Sequence, residues 1–133
     1  MAYCLDTNTI VFCLRGKSAK VMQRLHATPA AEVREPMQVR AELRVGAAKS
    51  AKPAENAAKV ESFIKPYTVL WPDDDIMTHY VAIRCALEEK GQCISEADLW
   101  IAATARSRGD VVVKNNVDEF QRVPGLMVVD WTV

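Results

Sequence analysis

Carboxylates stand at four well-separated places in this sequence: Asp6 in LDTN, Glu42 in RAELRVG, Asp98 at the head of DLWIAA, and the pair Asp118–Glu119 in NNVDEF. Carboxylates brought within a few ångströms of one another repel, and one is driven to protonate unless a cation intervenes. Mg2+ and Mn2+ take oxygen ligands, typically a few carboxylates with water completing an octahedron. An ion held that way can activate water and neutralise charge on a phosphodiester undergoing in-line displacement. Such a reaction needs no nucleophilic side chain, and no Ser–His or Cys–His arrangement is evident in this chain. Each acid also has a structural use. Asp6 can cap a turn, Glu42 can lie on a solvated helix face, and Asp118 and Glu119 can be surface acids. Ser95-x-x-Asp98 has the form of a capping box, with the acid favoured by the helix dipole.

The elements that would position these groups alternate short apolar runs with stretches of helical period. Strands are expected at 2–5, 31–35, 67–71, 111–113 and 126–130. The second is weak, broken by charges and stopped by Pro36. A helix is expected at 8–15, capped by Asn8 and ended by Gly16, and another after Ser18 with Val21, Met22 and Leu25 on one face. Val39, Leu43 and Ala47 mark a helix over 37–49, and Pro53 suits the first turn of the next, with Ala57, Val60 and Ile64 inward. Asp73, Asp74 and Asp75 open a helix running to Lys90, striped by Ile76, Tyr80, Ile83 and Leu87. Ser95 begins a helix ending at Gly109, and a short one falls near 117–121. This alternation predicts an α/β fold with a mostly parallel five-stranded sheet and helices on both faces. In such sheets sites form at the carboxyl edge, where strands hand over to helices, and the acids follow strands or open helices there.

The 133 residues fit one domain, 1–133, of which half are apolar and 26% charged. Net charge is zero, so composition carries no electrostatic signature of nucleic-acid binding. Cys4, Cys13, Cys85 and Cys93 lack the short pair spacing of a zinc site and read as free thiols of a reducing compartment. The first residues, MAYCLDTNTIVF, lack the basic start of a signal peptide, and no apolar run approaches a membrane span. A cytoplasmic protein is the expectation.

Taken together, LDTNTI, AELRVGAAKS, DLWIAATARSRG, NNVDEF and VPGLMVVDW resemble, in order and spacing, the PIN-domain nucleases, and in particular the VapC toxins of bacterial toxin–antitoxin pairs. The resemblance covers nearly the whole chain. It implies a three-layer α/β/α fold and an Mg2+- or Mn2+-dependent endoribonuclease that hydrolyses RNA, tRNA included, with metal-activated water. By position it implies catalytic Asp6, Glu42, Asp98 and Glu119, with Asp6, Asp98 and Glu119 on the metal. Glu119 directly precedes Phe120 and is preferred to Asp118, since adjacent helical residues point about 100° apart. Asn116, Thr7, Asn8 and Asp118 are supporting candidates. Arg15, Lys17, Arg40, Arg44 and Lys49 lie near the first two acids and are candidates for holding an RNA backbone.

The sequence departs from the family at Lys114, where a threonine or serine is usual. An ammonium there favours the charged form of neighbouring carboxylates and would weaken metal occupancy or touch substrate phosphate. A VapB-like antitoxin is the implied partner, and Val11, Phe12, Leu14, Val21, Met22 and Leu25 could supply its groove, a homodimer face, or simply core. Two rivals stand beside this reading. One is a phosphatase of the haloacid-dehalogenase type with a nucleophilic Asp6 and a late Asp73–Asp74 pair, although Asn8 replaces the second acid its motif needs. The other is a degenerate PIN fold that binds RNA or a protein without cutting.

Overall fold

The computed structural model describes residues 1–115 and 118–133. Five strands form one parallel sheet: β1 (Tyr3–Leu5), β2 (Val33–Pro36), β3 (Thr68–Leu70), β4 (Val111–Val113) and β5 (Met127–Val129). Seven helices are described: α1 (Thr7–Leu14), α2 (Ala19–Ala27), α3 (Met37–Ala48), α4 (Pro53–Ile64), α5 (Asp74–Glu89), α6 (Glu96–Arg108) and α7 (Asp118–Gln121). Strand order is β3-β2-β1-β4-β5. The chain therefore winds outward from β1 on one side, then crosses back and winds outward on the other. Between β1 and β4 the connections leave in opposite directions, and their carboxyl ends open a crevice at this switch point.

The register carries the pairing to the edge of that crevice. Leu5 lies opposite Val113, the Asp6 amide donates to the Val113 carbonyl at 3.3 Å, and the Lys114 amide donates to that of Val129 at 3.0 Å. Asp6 and Lys114 are thus fixed side by side just past the last paired residues. Val111, Val112 and Val113 are all buried, and since successive strand residues face opposite sides, both faces of the sheet are covered there.

The helical stripes fall largely as their periodicity predicts. Val39, Leu43 and Ala47 are buried on α3; Ile76, Ile83 and Leu87 are buried on α5, where Tyr80 instead stacks on Trp100 with ring centroids 3.9 Å apart. Ala57 differs, being exposed on α4, where Val60 and Ile64 suffice for the inward face. The α1 cap also differs. Asp6, extended after β1, caps α1 with Oδ1 accepting from the Thr9 amide at 2.9 Å, whereas Asn8 lies inside the first turn. β2 begins two residues later than expected, because Ala30–Glu32 form a 3₁₀ turn, and it includes Pro36. Its charges are neutralised within the fold. Arg34 pairs with buried Asp110, its Nε 2.9 Å from Oδ2, and fully buried Glu35 accepts from Arg40 Nε at 3.0 Å. Among the described residues no helix is long and apolar enough to cross a membrane.

Candidate active site

Four elements deliver carboxylates to the crevice. Asp6 ends β1 and is 3% exposed. Its Oδ1 accepts from the Thr9 amide and lies 2.6 Å from the Thr9 hydroxyl, which is also 3.0 Å from the Val113 carbonyl. That hydroxyl has one proton, so it donates to one of these two oxygens at a time. Asp98 sits in the first turn of α6, where its amide donates to Ser95 Oγ at 3.2 Å. The positive end of the helix dipole favours a carboxylate there. Glu119 comes from the short α7, and Glu42 from the second turn of α3.

All four line one cleft of about 470 Å³, together with Thr7, Asn8, Ser95, Ala97, Ile101, Lys114 and Asn115. At its centre is the Lys114 ammonium, 3.9 Å from Asp6 Oδ2, 3.6 Å from Asp98 Oδ2 and 3.5 Å from Glu119 Oε2. Three acids from three elements therefore converge on one point of positive charge.

Electrostatics set Asp6, Asp98 and Glu42 apart from ordinary surface carboxylates. Burial pushes the Asp6 carboxyl above its usual value; the Thr9 hydrogen bonds and Lys114 pull against this, and Asp98 adds to it. Burial likewise raises Asp98, with Lys114 opposing and the Glu119 carboxyl reinforcing. Glu42, though exposed, is raised by partial desolvation and by the Asp98 and Asp6 charges, with the nearby Thr7 hydroxyl and Lys114 opposing. Desolvation thus makes the charged forms of these carboxylates costly, a cost that a bound cation would offset.

The donor set is all oxygen and mostly carboxylate, the ligand chemistry of Mg2+ and Mn2+. No three acids among the described residues are drawn close enough to share one ion; they are spaced around the ammonium instead. The residues present therefore fit a hard divalent ion in kind, and their oxygens would have to close in to hold it.

The other sequence candidates are placed as follows. Thr7 and Asn8 line the cleft, Asp118 is exposed at the start of α7, and Asn116 falls outside the described residues. Arg40 is taken up by buried Glu35, and Arg44 by Glu61 at 2.8 Å. Arg15 and Lys49 follow the ends of α1 and α3 and are exposed, as is Lys17. Eight residues of α1 separate Asp6 from Arg15, roughly 12 Å of helix rise, and Arg15 lines the neighbouring groove together with Glu42. Asp73 caps α5 through the Ile76 amide at 2.9 Å and pairs with Arg108. It is a helix-capping residue, and neither it nor Asp74 lines this cleft. Sequence reasoning missed Thr9 and Asn115. Thr9 was visible as the third residue after a strand-ending Asp, the spacing at which a cap's partner lies; Asn115 opens the NNVDEF stretch that carries the resemblance, where Asn116 was singled out instead.

Residues 3–126 match the family described as the PIN domain. The chain is 37% identical over 131 residues to the tRNA(fMet)-specific endonuclease VapC of Salmonella typhimurium, covering 98% of each chain. It is 34% identical to ribonuclease VapC2 of Haemophilus influenzae, again over 98% of both. Among solved structures, the DNA-bound VapBC of Salmonella typhimurium superposes with a TM-score of 0.93 at 37% identity, over 98% of each chain.

Proposed function

The chain belongs to the PIN-domain family, and we propose on that premise that the carboxylate cluster between β1 and β4 is the catalytic centre of a VapC-type ribonuclease toxin. The observation that carries this is the convergence of Asp6, Asp98 and Glu119 on one cation position at the switch point. Asp6, Asp98 and Glu119 would hold Mg2+ or Mn2+, with Glu42 as a further catalytic carboxylate at the cleft wall. A divalent ion bound there supplies a water of lowered pKa and a positive charge for the phosphodiester. Ser95 and Thr9 position two of the acids, by capping α6 and by gripping Asp6. Asn8 and Asn115, both in the cleft wall, offer amides to a phosphate or sugar.

RNA is the substrate class, and tRNA(fMet), named for the Salmonella relative, is the first RNA to try. The partner is a VapB-like antitoxin, since the matching structure is a VapBC complex. A groove of about 330 Å³ lined by Val11, Leu14, Gly46, Ala47 and Val60 suits an apolar segment of such a partner, and Glu42 lines both this groove and the acidic cleft. A segment seated there would lie against the catalytic wall. The protein is placed in the cytoplasm, where its substrate is, as a single domain over 1–133.

Incubation of purified protein with tRNA and a panel of single-stranded RNAs tests the reading. Cleavage should stop in EDTA, return with Mg2+ or Mn2+, and be lost in Asp98→Asn. Metal-independent cleavage would overturn the metal assignment. RNA binding without cleavage under any ion would favour the degenerate fold, which has Lys114 as its one support.

A further inference from the structure

A lysine at the centre of an acidic site invites the bland view that a surface side chain has folded onto its nearest acid. The surroundings of Lys114 argue otherwise. Its side chain is 9% exposed, and its backbone is locked into the sheet through Val129. The ammonium lies near three carboxylates from three elements and 4.7 Å from the Phe120 ring centroid, within cation–π range. Phe120 is fully buried, so the ring under the ammonium belongs to the core. This is a built position for a cation.

The position is also the one a metal needs. The carboxylate oxygens stand 3.5 to 3.9 Å from Nζ, whereas Mg2+ binds oxygen at about 2.0–2.1 Å. An ion centred there requires the oxygens to close in by about 1.4–1.9 Å, which leaves no room for an ammonium among them. Two cations compete for one hole, and one of them is covalently attached.

We propose that Lys114 is a tethered counter-cation that occupies the metal position in the metal-free protein and must swing out before a divalent ion can bind. The proposal rests on the reading of Asp6, Asp98 and Glu119 as metal ligands. Lys114 thus serves two ends. It holds the carboxylate cluster together when no ion is present, and it sets a threshold of metal concentration below which the enzyme stays idle. Its stem is anchored at the cleft, so the displaced ammonium remains beside the bound ion.

Calorimetric titration of the chelator-treated protein with Mn2+ tests this, using wild type, Lys114→Met and Lys114→Thr. Both variants should bind Mn2+ at least about tenfold more tightly, a difference of about 1.4 kcal/mol. Their metal-free melting temperatures should fall below wild type and be restored by Mn2+. A second measurement needs no variant to fold. The Lys114 Cε and Hε signals of 13C-lysine-labelled wild type should move on addition of diamagnetic Mg2+ to the positions of solvent-exposed lysines. Unchanged or weaker Mn2+ binding in both folded variants, or a Lys114 signal indifferent to saturating Mg2+, would overturn the proposal while leaving the metal site standing. Failure of wild type and both variants to bind Mn2+ would overturn the metal reading and this proposal together.

Discussion

On the proposed reading Asp6 does two jobs through different oxygens, so replacing it by asparagine should separate chemistry from folding. Oδ1 caps α1, accepting from the Thr9 amide at 2.9 Å, while Oδ2 faces Lys114 at 3.9 Å. Asparagine is as good a helix cap as aspartate, whereas alanine at such a position costs about 1 kcal/mol. Asp6→Asn keeps the Oδ1 acceptor and removes one negative charge from a cluster in which burial already raises Asp6, Glu42 and Asp98. Lys114 retains Asp98 and Glu119 as partners. In EDTA, Asp6→Asn should therefore melt at or slightly above wild type, and Asp6→Ala below it by the lost cap. Cleavage should respond differently. Loss of an outer-shell partner of a metal typically costs about 10–100-fold, so loss of a charged ligand should reduce RNA cleavage by about 100-fold or more. Urea denaturation and a fluorescence-quenched RNA assay on the same preparations give both numbers. An Asp6→Asn variant that cleaves at half the wild-type rate, or that is as destabilised as Asp6→Ala, would refute the division of labour between the two oxygens.

Because the carboxyls of Asp6, Glu42 and Asp98 are raised by burial, the metal-free folded state binds protons more readily than the unfolded chain. The stability they contribute is present below the ordinary carboxylate range near pH 4 and is lost as pH rises through the raised values. Differential scanning calorimetry in EDTA should show this decline, and saturating Mg2+ should flatten the part owed to the cleft. Arg40→Ala strands the fully buried Glu35 without its partner and should cost about 3 kcal/mol near neutral pH, less on acidification. RNA affinity per folded molecule should stay unchanged, as titration by fluorescence anisotropy would reveal. Arg44→Ala breaks only an exposed pair with Glu61 and should alter stability by less than about 1 kcal/mol in the same urea assay.

Much of this architecture was legible from local chemistry. The spacing of Val39, Leu43 and Ala47 reported α3, and the unbroken apolar run at 111–113 reported a strand buried on both faces. Acids following strands or opening helices pointed to the carboxyl edge of the sheet. What local patterns cannot carry is pairing over distance. Arg34 and Glu35 looked like interruptions of β2 because one partner, Asp110, lies 76 residues away, and the other, Arg40, is on the next helix. Arg40 looked available to RNA for the same reason. Asn8 looked like a cap because asparagine is a good one, but the extended backbone needed at a cap falls on Asp6. The place of Lys114 among the acids was suggested by its neighbours in sequence. That its ammonium marks their common centre follows from the register of β1, β4 and β5, which no motif encodes.

The site is not evenly wet. The side chain of Asp6 is 4% exposed, that of Asp98 15% and that of Glu119 44%, so the cleft has a dry back wall and a hydrated threshold. Any substrate must shed water on the Glu119 side while the far side stays fixed by the sheet. A ligand entering the cleft therefore reaches Glu119 first and Asp6 last. Changes at the threshold should accordingly alter which RNA is admitted, and changes at the back wall whether any RNA is cut.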